Sequence, residues 1–441
     1  MGLQIDPVSS DAELPKHADV VIIGGGIIGT SAALFLANKG ISVVLCEKGH
    51  VAGEQSGRNW GWVRITGRDT REIPLALEAQ RYWDTMVELT GADVGFRKTG
   101  IMFACETEAE VARRAAWLDH AGTFGLDTRM LSGKEVAELL PGAAQPFLGA
   151  LHSARDGVAE PQKAASAIMR AAQRKEARIV TDCAVRGIEL AGGHVAAAVT
   201  EHGPIACSAI ILAGGAWSAL FCRSLGLRLP QLKVHTSVMR TSRVDGPLPA
   251  TWTAGVSFRR RFDGGYTVAD SHYSVSEVVP DSFRFFHDFL PALKMSWRSV
   301  QLRFGRRFID EMRYPAKIAH DRPSPYEATR MLDPPPALHA NARAKERLGK
   351  LFPGFAAARI VQHWSGFVDV TPDAIPVISP VDAIPGFHVA TGFSGHGFGI
   401  GPAAGRLIAD LVTGDRPLVD PKPFRFARFS DSSPLMLQPA I

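Results

Sequence analysis

The chain has 441 residues, of which 46% are hydrophobic and 21% are charged. These proportions lie near the globular average and exclude a disordered, collagen-like or coiled-coil chain, and the length allows about three domains or one large fold in two parts. The net charge of +5 is a mild excess that indicates no nucleic-acid partner.

A strand, a helix and a second strand are predicted between residues 18 and 48. The β-branched run Val20–Ile23 is typical of a strand buried on both faces. Helix-forming residues follow at 30–38 and end before Gly40, which stops the helix and precedes a second apolar run. This order predicts a βαβ unit.

A glycine motif joins the first strand to the helix. Gly24, Gly26 and Gly29 have the spacing G-x-G-x-x-G, in which backbone amides and a helix N-terminus can receive a pyrophosphate. Glu47 ends the second strand, near the offset at which a carboxylate accepts hydrogen bonds from ribose hydroxyls. We predict a dinucleotide site rather than a structural turn, and the carboxylate disfavours NADP because it would repel a 2′-phosphate.

Helices and strands alternate in mixed order through the middle of the chain. We predict a helix at 74–89, a strand near 100–105, helices and a loop at 106–150, a helix from Pro161 to about residue 175, a strand at 179–185 and a meander at 185–213. Period-two alternation at 234–268 predicts an antiparallel sheet, at which a second domain begins.

The last predicted unit is a strand, a glycine loop and a helix. The loop spans 392–401, Pro402 is expected at the start of the helix, and Gly414 follows its end. A second helix N-terminus directed at the same crevice would stabilise negative charge on a reduced isoalloxazine ring, which favours FAD over NAD.

The ordered motifs resemble those of the D-amino-acid-oxidase-type family of FAD-dependent amine and amino-acid oxidoreductases. They are VVIIGGGIIG with Glu47, SGRNWGWVR at 56–64, DGVAEP at 156–161, AIILAGGAWS at 209–218, DGGYTVAD at 263–270, WSGFVDVTPDAIPVI at 364–378 and TGFSGHGFGIGPAAGRLIADL at 391–411. The resemblance implies an α/β fold with a Rossmann-type FAD-binding domain of the glutathione-reductase-like kind, an antiparallel-sheet substrate domain and a helical insertion.

The resemblance also divides the chain into domains. The FAD-binding domain is expected at 18–105, 150–230 and 355–425, the substrate domain at 106–149 and 231–354 with a helical segment at 281–314, and tails at 1–17 and 426–441.

The family pattern assigns cofactor contacts residue by residue. It implies Gly24, Gly26, Ile27, Ile28 and Gly29 at the pyrophosphate; Glu47, Lys48 and Val185 at the ribose and adenine; Ser56, Arg58, Asn59, Trp60 and Gly61 along the ring and pyrophosphate; Gly214 and Trp217 beside the cofactor; and Gly395, His396, Gly397, Phe398 and Gly399 at the pyrimidine edge. The tryptophans could instead be core residues and Arg58 a solvated loop charge. Because no cysteine lies near the C-terminal glycine loop, we expect noncovalent FAD. The five cysteines show neither a CxxC pair nor metal-ligand spacing with histidine, so we expect no metal site.

An amino-acid substrate brings a carboxylate that an arginine binds best in a dry pocket. Strand alternation places Arg260 between Phe258 and Phe262 on one face, so we predict Arg260 as the carboxylate clamp, with Arg259 next because a one-residue bulge would exchange them. The remaining residues predicted at the reacting end are Tyr266, Trp364 and Phe393, and Arg240 and His272 are further candidates.

The predicted reaction is FAD-dependent oxidation of the C–N bond of an amino acid or secondary amine to an imine, by hydride transfer to flavin N5, followed by hydrolysis to an oxo acid. The alternatives are a flavin dehydrogenase of a hydroxy acid or polyol and a flavin-binding subunit without turnover. The electron acceptor is oxygen or a quinone or other electron-transfer partner, and we favour a dehydrogenase.

The segment 282–308 mixes Phe and Trp with arginines at helical spacing. We favour a helical cap over the substrate cavity; the alternative is peripheral contact with an anionic membrane, where reduced flavin would pass electrons to a quinone. Because residues 1–18 have no apolar core of a signal peptide, the expected location is cytoplasmic, with the inner face of the membrane as the alternative.

Overall fold

The computed structural model describes residues 3–296 and 300–438. The strands are β1 (Val20–Ile23), β2 (Val43–Cys46), β3 (Trp62–Val63), β4 (Ile101–Cys105), β5 (Arg129–Ser132), β6 (Gly149–Ser153), β7 (Gly157–Val158), β8 (Arg178–Val180), β9 (Val185–Ala191), β10 (His194–Thr200), β11 (Gly203–Ala206), β12 (Ala209–Leu212), β13 (Leu232–Thr241), β14 (Ala250–Thr253), β15 (Val256–Arg260), β16 (Tyr266–Ala269), β17 (Val275–Val278), β18 (Gln301–Phe304), β19 (Ile360–Val370), β20 (Val377–Pro380) and β21 (Phe387–Thr391).

The α-helices are α1 (Ile27–Asn38), α2 (Gln55–Arg58), α3 (Ile73–Asp84), α4 (Met86–Thr90), α5 (Glu108–Ala121), α6 (Gly133–Leu139), α7 (Pro161–Gln173), α8 (Ser218–Ser224), α9 (Pro280–Arg284), α10 (Phe286–Ser296), α11 (Arg306–Met312), α12 (Pro325–Ala328), α13 (Leu338–Leu351) and α14 (Gly397–Thr413). Of the helices in the described ranges, none has the length and apolar character needed to cross a bilayer.

A six-stranded sheet in the order β20-β21-β12-β1-β2-β8 contains the predicted βαβ unit. β1 pairs in parallel with both β12 and β2, whereas β20 runs antiparallel to β21. α1 packs against α7 and α14, and its residues Ile27–Ala37 are buried. The predicted unit is confirmed, and with it the mixed α/β fold class, although α1 begins earlier than residue 30.

A ten-stranded sheet has the order β18-β17-β13-β16-β15-β14-β4-β6-β5, with β19 paired along β13. The pairing is parallel between β14 and β4 and between β17 and β18, and the remaining pairs are antiparallel, as the alternation at 234–268 predicts. β4, β6 and β19 lie largely in ranges that we assigned to the FAD-binding domain. The ten-stranded sheet therefore contains residues from the ranges predicted for both domains, and the domain boundaries stay a prediction.

Two predicted elements are interrupted in the structure. The helix predicted at 74–89 is divided at Thr85, whose hydroxyl donates to the carbonyl of Arg81 and competes with the helical hydrogen bonds. The strand predicted at 179–185 stops before Asp182, whose φ of 48° lies in the left-handed region that a strand does not contain.

The C-terminal half differs from the prediction at two places. α14 begins at Gly397, so Pro402 lies inside the helix rather than at its start. The segment 281–314, predicted to be helical, contains the strand β18 as well as helices α9 to α11. β18 forms because it pairs with the edge of β17. Residues 297–299 of that segment lie outside the described residues.

Candidate functional site

A cavity of about 450 Å³ is lined by residues of both large sheets. It extends from the glycine motif after β1 to Phe103 and Trp252 of the ten-stranded sheet. The predicted cofactor residues that line it are Gly24, Gly26, Ile27, Ile28, Glu47, Lys48, Ser56, Arg58, Asn59, Trp60, Val185, Gly214, Trp217, Gly395, Gly397 and Phe398; Gly29, Gly61, His396 and Gly399 are not in its lining. The structure thus brings most of them together, and their cofactor contacts stay a prediction.

The glycine motif lets three chain segments approach closely. A side chain at Gly24 would place its Cβ 2.5 Å from the carbonyl oxygen of Ala213, and one at Gly29 would place its Cβ 2.0 Å from the oxygen of Gly24. The N–H of Ile27, in the first turn of α1, donates to Ser56 Oγ at 2.8 Å. Gly29 therefore acts by letting α1 pack on β1 rather than by facing the cavity.

Glu47 holds the two loops on either side of it. Its carboxylate oxygens accept from the backbone N–H of Gly25 and Gly49, each at 2.7 Å. Burial raises the pKa of Glu47, although these two hydrogen bonds oppose the shift. A carboxylate has about four lone-pair sites, so both oxygens can still accept from ribose hydroxyls.

Lys48 and Arg58 line the cavity but have protein partners. Lys48 Nζ donates to Glu54 Oε1 at 2.9 Å and lies 4.6 Å from the centre of the Trp217 ring. Arg58 is buried and donates to Asp333 at 2.5 Å and to the carbonyl of Ser365 at 2.9 Å. Because Arg58 is buried and paired, it is not a solvated loop charge; it fixes the segment that carries Asn59 and Trp60.

The residues predicted to clamp the substrate carboxylate lie outside the cavity lining. Arg259 is 1% exposed and donates to both oxygens of Glu160, at 2.8 and 3.1 Å. Phe262 is 64% exposed, since β15 ends at Arg260 and the chain leaves the strand before Phe262. The expectation that Arg260 faces inward between two phenylalanines is therefore wrong.

Of the other residues predicted at the reacting end, only Phe393 lines the cavity. Tyr266 lies in the core of the ten-stranded sheet, where its hydroxyl donates to the carbonyl of Pro247 at 2.8 Å. The Trp364 indole donates to the carbonyl of Arg58 at 2.8 Å. Both side chains have structural contacts, and neither lines the cavity.

A cluster of arginines that we did not predict lies at the end of the cavity opposite the glycine motif. Arg64 and Arg68 are in its lining. Arg114 is fully buried beside them, with its guanidinium 5.0 Å from the Phe103 ring and 4.7 Å from the Trp252 ring. The signal in the sequence was the pair of arginines four residues apart at the end of the SGRNWGWVR motif.

Burial governs the electrostatics of this end. It lowers the pKa of Arg64 to about 9, with Arg68 adding to the effect, and it lowers the pKa of Arg114 to about 10. Burial alone would raise the pKa of Glu72, but His396, Arg68 and Arg64 outweigh it and lower that pKa. Arg64 and Arg114 thus remain charged at neutral pH in a poorly solvated place, and Glu72 and Asp156 oppose the lowering of the Arg68 pKa by burial.

His396 is the N-cap residue of α14 and is held by a buried carboxylate. Its Nδ1 lies 2.8 Å from Glu72 Oε2, and its carbonyl accepts from Arg68 Nη2 at 3.5 Å. On the other side of the loop, Asp369 accepts from the N–H of Gly392 at 2.8 Å. The C-terminal glycine loop is therefore fixed from two directions by residues that sequence reasoning missed.

Comparisons with known proteins agree in the family that they indicate. A family model described as DAO, FAD dependent oxidoreductase, matches residues 19–411. The solved L-amino acid deaminase of Proteus myxofaciens, in complex with anthranilate, is 35% identical with a TM-score of 0.93 and 97% coverage of each chain. The subunit beta of sarcosine oxidase from an Arthrobacter species is 26% identical over 95% of this chain and 93% of its own length.

Another solved relative is similar at a comparable level. The L-amino acid deaminase from Proteus vulgaris is 31% identical with a TM-score of 0.92, over 96% of this chain and all of its own. Glycine oxidase from Geobacillus kaustophilus, at 22% identity and a TM-score of 0.75 over 94% of this chain and 99% of its own, supports the fold.

Glu47→Gln is expected to weaken flavin binding about tenfold. An amide has one acceptor oxygen, so its N–H₂ must face the N–H of Gly25 or Gly49, and the loss of one charged hydrogen bond costs about 1.5 kcal/mol. The flavin dissociation constant, measured by fluorescence quenching, tests this, with Glu13→Gln on the exposed N-terminal segment as control. Equal affinity of the two variants would contradict the role of Glu47.

Asp156 makes the stability of the site depend on pH. Burial raises its pKa to about 6, although the backbone N–H of Ile65 and Thr66 donate to it. The folded protein therefore binds the Asp156 proton more tightly than the unfolded chain, in which an aspartate has a pKa of about 3.9. The stabilisation that the protonated Asp156 gives is complete below pH 4 and is lost as the pH rises through about 6.

In the wild type, the Asp156 proton should make the unfolding free energy about 2 kcal/mol lower at pH 6 than at pH 4, and Asp156→Asn should remove this difference. Urea unfolding at pH 4, 5, 6 and 7 measures it, and exposed Asp382→Asn is the matched control. If the slopes of the Asp156 variant and the wild type coincide, Asp156 does not carry the proton.

Proposed function

The chain belongs to the DAO family of FAD dependent oxidoreductases, and from this membership we propose that it oxidises the C–N bond of a free amino acid to an imine. Water then converts the imine to an oxo acid and ammonia. The observation that carries the proposal is the pair Arg64 and Arg68 in the cavity wall, opposite the glycine motif. An arginine in a dry pocket is the side chain best suited to a carboxylate.

The residues present fit FAD. Gly24 and Gly26 line the cavity at the N-terminus of α1, and a Cβ at Gly26 would lie 3.1 Å from Ser56 Oγ, so the backbone borders the cavity closely because no side chain is present there. Glu47 lines the cavity beside Val185, and α14 begins at its other end. When bound, FAD supplies the acceptor of the hydride from the substrate carbon.

The protein's own residues bind and orient the substrate. Arg64 donates one N–H to the carbonyl of Thr66 and lies 5.4 Å from the Phe103 ring, which leaves the rest of its guanidinium for a carboxylate. Trp62, Phe103 and Trp252 form a connected aromatic wall at this end. The wall excludes water, which strengthens the ion pair and holds the substrate carbon in one position.

Arg64→Met should raise the KM for the amino-acid substrate about 10- to 100-fold, the value of a charged hydrogen-bonded pair. FAD content should stay unchanged, and Arg113→Met, on the exposed face of α5, should have no effect. Stopped-flow reduction of the flavin under anaerobic conditions measures the change, and release of ammonia distinguishes amino-acid oxidation from oxidation of a hydroxy acid or polyol. An unchanged KM in Arg64→Met together with a raised KM in Arg259→Met would restore Arg259 as the clamp.

We further propose that the segment 282–308 contacts an anionic membrane surface and that a quinone is the electron acceptor. Among the described residues of this region and the adjoining α11, several large apolar side chains are exposed: Phe283, Phe286, Met295, Leu302, Phe304, Ile309 and Met312. The side chain of Arg306 is 89% exposed beside them. No described residue of 281–314 lines the cavity, which speaks against the helical cap that we favoured.

The double variant Phe283→Asp with Phe304→Asp should abolish binding to vesicles of phosphatidylglycerol, since it removes apolar surface and adds negative charge. Wild type should float with these vesicles and not with phosphatidylcholine alone. Leu190→Asp, at an exposed apolar position of β9, is the matched control. Wild type that stays at the bottom of the gradient with anionic vesicles rules out membrane contact.

A further inference from the structure

The arginine end of the cavity holds more hydrogen-bond donors than the protein can satisfy. Arg68 Nη1, Trp62 Nε1 and all three guanidinium nitrogens of Arg114 are buried and have no hydrogen-bond partner among the described residues. Arg68 is 3% exposed and Arg114 is 0% exposed. Buried donors are nearly always paired, so this group of donors indicates acceptors that a ligand brings.

Two of these donors face the same part of the cavity. Arg68 and Trp62 both line it, and both adjoin Gly399, where an added Cβ would lie 3.4 Å from Arg68 Nη2 and 3.2 Å from the Trp62 carbonyl oxygen. Arg68 Nε donates to the carbonyl of Arg64 at 3.3 Å, which keeps the two guanidinium groups in one neighbourhood. Arg114 lies behind the aromatic wall, against Phe103 and Trp252.

The charge of this neighbourhood is not balanced. In the described part of the chain, no carboxylate lies within ion-pair distance of Arg64, Arg68 or Arg114. The nearby carboxylates have other partners: Glu72 is bonded to His396, and Asp156 accepts from two backbone N–H groups. Because an uncompensated buried cation is costly, the missing negative charge is expected from the substrate.

A single carboxylate does not account for these donors. One carboxylate is bound by one guanidinium in a two-bonded pair, and Arg64 provides it. Arg68 and Trp62 then remain, and their donors match a second oxyanion, whereas a cationic or apolar side chain would leave them unpaired.

We infer that the substrate is a dianionic amino acid, with an acidic side chain or an N-carboxyalkyl group, whose second carboxylate binds to Arg68 and Trp62. This inference rests on the proposed function and names its substrate class. Arg114 contributes positive potential through the aromatic wall without touching the ligand, and it keeps basic side chains out of this end of the cavity.

The first test measures binding without turnover. Glutarate and butyrate, which carry two and one carboxylates and have no amine to oxidise, are titrated into the flavin-loaded protein by calorimetry. Glutarate should bind about 10- to 100-fold more tightly than butyrate, and Arg68→Met should remove that difference while leaving butyrate unchanged. Arg113→Met is the control, and Arg68→Lys should restore part of the preference. Equal binding of the two acids to the wild type overturns the inference.

The second test uses turnover with isosteric amino acids. Glutamate should reduce the flavin with a kcat/KM about 10- to 100-fold above that of glutamine, and Arg68→Met should lower the value for glutamate alone. Equal rates for glutamate and glutamine in the wild type would refute the second carboxylate site while leaving amino-acid oxidation in place.

The outcomes separate the two proposals. If a wide amino-acid panel fails to bleach the flavin, the proposed function fails, and the preference for glutarate over butyrate still decides the anion site. If Arg68→Met changes the flavin spectrum or slows both amino acids equally, Arg68 serves the cofactor, and the second carboxylate site is rejected.

Discussion

The whole site depends on the convergence of backbone segments at the N-terminus of α1. The Gly24 backbone lies so close to Ala213 that a side chain at this position would collide with the Ala213 carbonyl. The Ser56 hydroxyl accepts from the N–H of Ile27, the first residue of α1. Glu47 then holds the turn from the opposite side through the Gly25 amide. These contacts place β1, β12 and the segment after β2 around one cavity, and the arginine end is positioned by the residues that continue from that segment.

Much of the fold was predictable because it depends on local patterns. Apolar runs of four residues, a helix between two strands, and period-two alternation are each visible in a short window of sequence. The errors came from interactions outside such windows. Asp182 leaves the strand because of its backbone conformation, and β18 forms only because β17 offers an edge to it. A helical spacing of Phe and Arg residues did not reveal that partner.

The residues of the site likewise fall into a group that local motifs predict and a group that depends on distant contacts. The glycine loops and Glu47 belong to motifs whose chemistry is local, and the structure brings them to one cavity. The choice between arginines depended on a partner 99 residues away in the chain, since Glu160 neutralises Arg259. Alternation along β15 could not show this, and it also assumed that the strand continues to Phe262. Arg68 and Arg114 were missed because burial without a partner is a property of the tertiary structure alone.

The contrast between the two buried arginine groups supports the assignment of the substrate end. Arg259 has both the burial and the carboxylate that a structural ion pair requires, so its role is complete within the protein. Arg68 is equally buried, yet its free nitrogen and the neighbouring Trp62 indole have no acceptor in the described chain. Glu72 and Asp156 lie near enough to favour the charged form of Arg68, although neither forms a hydrogen bond with it. Arg68 lines the cavity that the glycine motif opens, and this position is the reason why we propose the arginine end as the place where the substrate carboxylate binds.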